Sequence, residues 1–413
     1  MSAENWKHTF AVIWSGQAVS ILSSSIVAYA IIFWMSIETR SAEVLALSAM
    51  AGMLPQAVLG LFVGVYIDRW DRKRTMILAD SFISLCTLGL AALFWSGRAE
   101  LWHVYVLLAC RSVGTAFHVP AMQASVPLLA PERQLTRIAG VNQVISSFSD
   151  LAGPALGALL LELTSIGNIL LLDVVGALIA CTTLLFVRIP NPERPKRKAD
   201  LWHELREGFA AMHSQPGLGW FFMLAIAIWF LIMPVGVMFP LMTLNHFGGG
   251  TWEMSFVEII WGGGALLGGA IMGARNYPIN RIVLINLMYI MVGLSFLLSG
   301  LLPPTAFYWF AVLTAAAGVS SSVFNASFVA VLQTSIEAGL LGRVLSLYRS
   351  FGLLPSALGL LSTGFLAEQV GLTTTFVLSG GAICLLGCVA FCLPSVLRLD
   401  RHPEQPDSSS NKR

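Results

Sequence analysis

Long apolar runs, separated by short polar segments, recur along almost the whole chain. A helix needs about 20 mostly apolar residues to cross the hydrocarbon core of a bilayer. The pattern predicts twelve such helices, spans one to twelve, at 10–35, 44–66, 75–96, 101–123, 138–161, 166–188, 218–243, 254–275, 279–301, 304–332, 341–366 and 371–394. The expected fold class is therefore an all-α integral membrane protein.

Composition supports this prediction. The 413 residues are 56% hydrophobic and 11% charged, whereas soluble domains usually carry roughly 25% charged residues. The six cysteines all fall inside predicted spans, so the sequence supports neither a disulfide framework nor a metal site. No metal is expected.

The basic residues are unevenly divided between the two sides of the predicted membrane. Of 24 Lys and Arg residues, Arg40 and Arg98 lie on one side, and Arg111 and Arg349 lie within spans. The other 20 lie on the side that holds both termini. Because basic residues concentrate in cytoplasmic loops, both termini are expected to be cytoplasmic.

A faint internal repeat divides the chain near its middle. Gly114 and Gly318 open similar stretches, and Ala155-Leu156-Gly157 matches Ala357-Leu358-Gly359 at an offset of about half the chain. The repeat predicts two six-helix bundles in the same orientation. The expected divisions are an N-terminal bundle, a cytoplasmic linker with an amphipathic stretch, a C-terminal bundle and a disordered cytoplasmic tail, at 1–188, 189–217, 218–394 and 395–413.

The loop between spans two and three is the most specific motif. It reads Gly64-Val-Tyr-Ile-Asp68-Arg69-Trp-Asp71-Arg72-Lys73-Arg74. This order resembles the loop motif of the major facilitator superfamily, with Asp71 in place of the usual second glycine. The resemblance implies the major facilitator fold, in which two six-helix bundles rock about a central site to give alternating access.

The same loop suggests a gate on the cytoplasmic side. Gly64 lets two helices approach closely, and Asp68 can accept hydrogen bonds from the N-terminal amides of a span in the other half. Arg343, just before span eleven, is a candidate ionic partner of Asp68. Arg72 is expected to hold a carboxylate such as Glu132. Together with Arg69, these residues form the predicted gating loop.

Two further stretches match motifs of the superfamily. Arg111 and Gly114 in span four resemble its Arg-x-x-Gly motif, which implies a part for Arg111 in proton relay; the alternative is a structural tie between helices. An Arg inside hydrocarbon must face the bundle interior, where it is paired or hydrated. Gly153-Pro154-Ala-Leu-Gly157 in span five resembles the motif of the antiporters, with helix packing alone as the alternative.

Four acids lie within the predicted spans: Asp80, Asp150, Asp173 and Glu258. Carboxylates in a low dielectric can exchange protons near neutral pH, which suits proton coupling. Asp173 and Glu258 rank first because each lies near the outer end of its span, and Asp150 comes next. Asp80 is expected to pair structurally with the basic loop. His118 is expected to be an isolated polar group between helices.

The substrate class is inferred from the spans that line the central site in the superfamily, namely one, four, seven and ten. They are rich in aromatic residues: Trp14, Tyr29, Phe33, Trp34, Trp229, Phe230, Phe324 and Phe328. Spans one, seven and ten contain no Lys or Arg. This composition favours a bulky neutral or cationic amphiphile over an anion.

Over most of its length the sequence resembles the macrolide-efflux branch of the superfamily. The resemblance rests on stretches such as those beginning at Ile13, Arg111 and Leu171, and it adds Gln17 to the candidate pathway. It implies secondary active export of macrolide antibiotics in exchange for protons. No cofactor beyond a proton gradient is expected, since no ATP-binding motif is present.

Several alternatives stay open at this stage. Within transport, the chain is alternatively an exporter of a siderophore or lipid, or a nutrient symporter; outside transport, it is a membrane sensor or an integral-membrane enzyme, although no catalytic motif is found. The expected partners are a hydrophobic small molecule and membrane lipid, without nucleic acid. The protein is expected to be a monomer in a bacterial plasma or inner membrane, acting alone or with a separate ATPase or envelope component.

Overall fold

The computed structural model of the chain describes residues 5–67, 70–131, 134–187, 189, 201–274 and 279–400. The described residues form helices and connecting turns, without a strand. The helices are α1 Asn5–Thr39, α2 Ala42–Ile67, α3 Arg72–Trp95, α4 Leu101–Leu129, α5 Leu135–Leu163, α6 Ile166–Leu185, α7 Leu201–Ala211, α8 Leu218–Val237, α9 Phe239–Asn245, α10 Thr251–Ala274, α11 Arg281–Leu301, α12 Phe307–Ser335, α13 Ala338–Val370, α14 Leu372–Phe391 and α15 Pro394–Leu397.

Twelve of these helices are long and apolar enough to cross a membrane, which confirms the predicted all-α membrane fold. They are α1 to α6, α8 and α10 to α14. In a bilayer only helices and closed barrels satisfy all their backbone hydrogen bonds internally, so each apolar run forms a helix across its full width. The short α7 coincides with the amphipathic stretch of the expected linker.

Span seven differs from the prediction of one helix over 218–243. The chain forms α8, breaks at Met238 and continues as α9. Pro240 lies in the first turn of α9, where its missing N–H costs nothing because the first amides of a helix have no partner within the helix. The hydropathy of the two pieces is continuous, so only the proline marked the break.

The two halves are built from the same helix pairs. In the N-terminal half α1 packs against α5 and α6, α2 against α4, and α3 against α4 and α6. In the C-terminal half α8 packs against α13 and α14, α10 against α12, and α11 against α12 and α14. Each pair in one half has its equivalent in the other, which shows the internal repeat as repeated packing.

A glycine of the sequence repeat makes the same contact in both halves. A Cβ on Gly157 of α5 would lie 3.1 Å from the Ile26 carbonyl oxygen of α1. A Cβ on Gly359 of α13 would press against the Phe230 carbonyl oxygen of α8, the equivalent of α1. Gly114 and Gly318, the other matched glycines, contact non-equivalent helices, α3 and α10 respectively.

The ends of the bundle define two faces. The basic face holds the start of α1, the turn between α2 and α3 and the end of α14; the opposite face holds the turns after α1, α3 and α5. Among the described residues, two hydrogen bonds join the halves, Ser41 Oγ to Glu368 Oε1 at 2.6 Å and Asn245 Nδ2 to the Arg40 carbonyl oxygen at 3.2 Å. Both lie at the opposite face, where the two halves are in contact.

Replacing Gly359 by Ala is expected to destabilise the protein, because the added methyl group would meet the backbone of α8. Overpacking of this kind costs about 1–3 kcal/mol. The melting temperature of the purified protein in detergent measures the effect. Gly352→Ala in the same helix is the matched control, since a Cβ there meets nothing within 4 Å. Equal melting temperatures for the two variants would contradict the close-contact interpretation.

Candidate functional site

The buried arginine of span four is paired with an acid of span six. Arg111 Nη1 of α4 forms an ion pair with Asp173 Oδ2 of α6. Ser24 Oγ of α1 donates to Asp173 Oδ1 at 2.5 Å, and Thr87 Oγ1 of α3 donates to Oδ2 at 3.1 Å. We call Ser24, Thr87, Arg111 and Asp173 the Arg111 cluster. Asp173 is only 3% exposed, so this carboxylate is enclosed by its partners.

Small residues bring the helices of the Arg111 cluster together. A Cβ on Gly176 of α6 would lie 3.2 Å from the Ser20 Cα of α1 and 3.0 Å from the Ser23 Cβ. Small residues at such crossings let transmembrane helices approach closely. The close α1–α6 contact allows the short side chain of Ser24 to reach Asp173.

Asp150 and Glu258, by contrast, lie where the two halves meet. Asp150 on α5 adjoins Leu151, whose Cδ2 lies 3.1 Å from the position that a Cβ on Gly262 of α10 would take. Glu258 lies one turn before Gly262 on the same face of α10. Tyr29 of α1 is within electrostatic range of both carboxylates. We call Tyr29, Asp150 and Glu258 the interface acid site.

These two acids differ from Asp173 in their bonding. In the part of the chain that the structure describes, neither Asp150 nor Glu258 makes a hydrogen bond or an ion pair, whereas Asp173 has three polar partners. Asp150 is exposed and Glu258 is partly buried. A carboxylate without a fixed partner can gain and lose a proton without breaking an ion pair.

The Gly-Pro motif of span five packs against α1 within the same half. A Cβ on Gly153 would meet Ser25 Oγ and lie 3.1 Å from Tyr29 Cδ2, while Ser25 Oγ itself donates to the Ser149 carbonyl oxygen at 2.9 Å. Pro154 lies inside α5 and is buried. The motif therefore positions Tyr29 beside α5, and its expected role in antiport stays a prediction.

Gln17 is completely enclosed, at 0% exposure, in α1. Neither its Nε2 nor its Oε1 has a hydrogen-bond partner within the described residues. An unsatisfied buried amide costs about 1–3 kcal/mol, so its presence needs an explanation. Its place in the substrate pathway stays a prediction.

His118 was expected to be an isolated polar group between helices, and that expectation was wrong, because it faces Asp80. His118 Nε2 of α4 lies 3.3 Å from Asp80 Oδ1 of α3. The pairing follows from Gly114, one turn before His118, where a Cβ would lie 2.7 Å from Ile83 Cδ1 of α3. The two helices are thereby brought close at this level.

The structure describes only part of the predicted gating loop. Asp68 and Arg69 lie outside the described residues, as does the proposed acid Glu132. Gly64 lies in α2 and Arg343 in α13, but their side-chain surroundings are also outside the described part. The proposed latch therefore stays a prediction.

Two residues of that loop are placed clearly. Arg72 is buried, and its Nη1 donates to the Ala124 carbonyl oxygen at 2.8 Å. Asp71 is the N-cap of α3 and accepts a hydrogen bond from the Arg74 amide at 2.9 Å. Asp is a favoured N-cap residue, which explains why it stands where the superfamily usually has glycine.

Several aromatic residues that were expected to line a cavity are instead buried, Phe324 and Phe328 within the C-terminal half and Phe33 where the two halves meet. Phe33, Phe324 and Phe328 are each at most 3% exposed. Phe328 stacks on Tyr348 with ring centroids 4.4 Å apart, and Trp229 Nε1 donates to Tyr348 Oη at 2.9 Å. In this structure these rings contribute to packing, so their presence is not evidence for an aromatic substrate cavity.

Twelve membrane-spanning helices in two equivalent halves are typical of a membrane transporter. A model of the Major Facilitator Superfamily matches residues 13–313. The chain is 37% identical over 398 residues to Macrolide efflux protein A of Streptococcus pyogenes, covering 96% of this chain and 98% of the relative. The chain belongs to the major facilitator superfamily and is a transporter, not an enzyme.

More distant comparisons agree with this assignment. The multidrug efflux pump Tap of Mycobacterium bovis is 26% identical over 389 residues, with 90% of each chain covered. A solved transporter of the POT family superposes with a TM-score of 0.74 at 13% identity, covering 94% of this chain and 96% of that chain. The second likeness shows the shared fold alone.

Breaking the Arg111–Asp173 pair is expected to destabilise the protein strongly. Arg111→Met would leave the Asp173 charge buried without a compensating cation, which typically costs about 3–5 kcal/mol. Asp173→Leu would likewise leave the Arg111 charge buried without a compensating anion. The double variant is expected to be more stable than either single variant, because no unpaired charge remains. Thermal unfolding of the four proteins measures this double-mutant cycle, and additive losses would show that the ion pair is not the stabilising contact.

Proposed function

We propose that the protein exports macrolide antibiotics and related amphiphilic drugs across a bacterial plasma or inner membrane, in exchange for protons. The whole-length identity to a macrolide efflux protein supports the substrate class, and the match to a multidrug pump supports export. We propose that transport requires no cofactor and is driven by the proton gradient. The proposed working unit is a monomer in contact with membrane lipid and a hydrophobic small molecule.

The interface acid site is the observation that supports proton exchange. Asp150 and Glu258 come from different halves and lie within electrostatic range of the same residue, Tyr29, without ion-pair partners among the described residues. When the halves rock, the surroundings of these two carboxylates change together. Protonation would neutralise them in one state, and a cationic or polar drug would replace the proton in the other.

The Arg111 cluster plays a different part in this mechanism. Asp173 accepts hydrogen bonds from Ser24 and Thr87 and pairs with Arg111, so three contacts within the N-terminal half fix the position of its carboxylate. Asp173 therefore fits a fixed counter-ion better than a proton carrier. The proposal accordingly ranks Glu258 and Asp150 above Asp173 for coupling.

The energy of one proton is sufficient for useful export. A proton that enters down a potential of about 150 mV supplies roughly 3.5 kcal/mol. Since each tenfold gradient corresponds to about 1.4 kcal/mol, one proton can sustain a drug gradient of a few hundredfold. Export of this kind does not require nucleotide hydrolysis.

Glu258→Gln is expected to abolish protonophore-sensitive export, because the amide cannot exchange a proton. Drug-sensitive bacteria that express the wild type should accumulate less radiolabelled macrolide than cells with empty vector, and a protonophore should remove the difference. The drug gradient that the variant maintains should be at least about tenfold smaller than that of the wild type, a difference of about 1.4 kcal/mol. Membrane levels are measured in parallel by immunoblot.

Asp400→Asn is the matched acid control. Asp400 pairs with Arg281 at the basic face, far from the boundary between the halves, at 3.5 Å from Oδ1 to Nη1. This variant should export normally. If Glu258→Gln and wild type gave the same macrolide accumulation at equal membrane levels, coupling at Glu258 would be excluded; if wild type and empty vector did not differ, macrolide export itself would be excluded.

The contact between the halves at the opposite face is expected to be one end state of alternating access. A Cβ on Gly364 of α13 would lie 2.8 Å from the Ala46 Cβ of α2, so Gly364→Val should hold this face open. Phe33 is fully buried beneath it, in a cluster with Leu244 and Met254 of the other half. A cysteine in place of Phe33 should then react faster with a soluble maleimide when Gly364→Val is present.

The labelling is measured on purified protein in nanodiscs. The protein that retains Phe33 is labelled in parallel, and its signal, which comes from the six native cysteines, is subtracted. Gly381→Val of α14 serves as control, since the nearest atom to a Cβ there is Leu297 Cδ1 at 3.8 Å. An unchanged labelling rate at position 33 would show that Gly364 does not close the face.

A further inference from the structure

Two cysteines of the N-terminal half, Cys86 of α3 and Cys110 of α4, lie side by side. Cys86 is nine residues before the end of α3 at Trp95, and Cys110 is nine residues after the start of α4 at Leu101. Because α3 and α4 are consecutive and packed together, these equal offsets place both residues at the same depth, about 13.5 Å from the helix ends. The two thiols are within hydrogen-bonding range of each other.

Two contacts nearer to the basic face show the same register between α3 and α4. His118 Nε2 of α4 lies 3.3 Å from Asp80 Oδ1 of α3, and a Cβ on Gly114 of α4 would lie 2.7 Å from Ile83 Cδ1 of α3. These contacts advance by four residues along α4 and by three along α3, and the next step on each helix reaches the two cysteines. The contact between the thiols therefore continues the packing seam of these helices.

The cysteine pair is accessible from the lipid. Both cysteines are free thiols and partly exposed. Leu85, next to the first cysteine, is 68% exposed, and Val106, one turn before the second, is 51% exposed. By contrast, Thr87 and Arg111, the residues that directly follow the two cysteines, contact Asp173 in the Arg111 cluster. The thiols are thus separate from the polar interior of the half, although they lie at the same level.

Two adjacent thiols can bind only certain metal ions. Soft metal ions prefer thiolate sulfur, but a structural Zn²⁺ normally takes four ligands. The described part of the chain contains no group of three or more His, Cys, Asp or Glu side chains that could hold a metal. A monovalent soft ion bound to two thiolates would leave one negative charge in the hydrocarbon region, which is costly. A divalent soft ion that takes two ligands would give a neutral complex.

We propose that Cys86 and Cys110 form a two-sulfur binding site for a divalent thiophilic metal ion of the mercury(II) type. The ion reaches the site as its neutral dichloride, which can enter hydrocarbon. Two S–H bonds and two Hg–Cl bonds break, two Hg–S bonds form, and two protons leave with the two chloride ions. No electron is transferred. The site is distinct from the interface acid site and does not depend on drug export.

Mercury retention tests the proposal. The tested protein keeps Cys86 and Cys110 in a background with the substitutions Cys181→Ser, Cys384→Ser, Cys388→Ser and Cys392→Ser. It is incubated in nanodiscs with HgCl₂ and washed with excess N-acetylcysteine, which removes mercury from single thiols. Elemental mass spectrometry should then find one mercury ion per protein. Further substitution of Cys86→Ser or Cys110→Ser should lower the retained mercury by at least about tenfold, because the second bond to the ion is no longer intramolecular.

A displaced pair is the matched control. In the same background, Leu85→Cys combined with Cys86→Ser keeps two thiols at nearly the same depth but moves one of them about 100° around α3, to a position that faces lipid. This protein should retain no more mercury than the single-cysteine variants. Thermal unfolding without mercury identifies the variants that are folded, and retention is compared among those.

Two outcomes would overturn the proposal. If a single-cysteine variant or the displaced pair retained as much mercury as the protein with Cys86 and Cys110, the contact between these two thiols would not be the site. If two mercury ions were retained per protein, each thiol would act separately. Because the proposed function is tested by drug accumulation, failure of macrolide export would leave this result unchanged.

Discussion

The need to compensate one positive charge in the hydrocarbon region explains much of the N-terminal half. Arg111 lies deep within a transmembrane helix, where an unpaired guanidinium would cost several kcal/mol. Its compensation requires Asp173 of α6 directly opposite, together with two hydroxyl groups from α1 and α3. Four helices therefore have to converge at one level, and glycines such as Gly176 make that approach sterically possible. The need to pair Arg111 thus constrains both the fold of this half and the positions of its buried charges.

The sequence predicted the twelve spans well because membrane helices depend on local properties. An apolar run must satisfy its own backbone, so its length and hydropathy determine a helix without reference to the rest of the chain. The break at Met238 was missed because hydropathy continues across it, although Pro240 marked the start of α9. The sequence repeat was also informative, but only Gly157 and Gly359 make equivalent contacts. Gly114 and Gly318 occupy matching positions in the sequence, but they contact helices that are not equivalent in the two halves.

Pairings between helices were much less predictable. A heptad-like spacing shows which residues share a face of one helix, but it does not show which other helix that face meets. Asp80 was accordingly assigned to the nearby basic loop, whereas His118, 38 positions further along, faces it. The signal that could have found the pair was present: polar residues recur at seven-residue intervals on spans one, three and four together. Arg111 and Asp173 were both singled out as candidates, yet nothing in the sequence showed that one neutralises the other.

The contrast between paired and unpaired acids also bears on how motion and charge are coupled. Asp173, Asp80 and their partners all belong to the N-terminal half, so a rigid rotation of one half against the other leaves their mutual distances unchanged. Asp150 and Glu258 belong to different halves, and any rocking alters the distance between them. A transporter needs at least one ionisable group whose surroundings depend on conformation, because a ligand or proton can shift an equilibrium only by binding its two states unequally. The interface acids meet this condition by their position, because they belong to different halves. In the proposed mechanism, therefore, only a proton exchanged at the boundary between the halves can report which way the molecule faces.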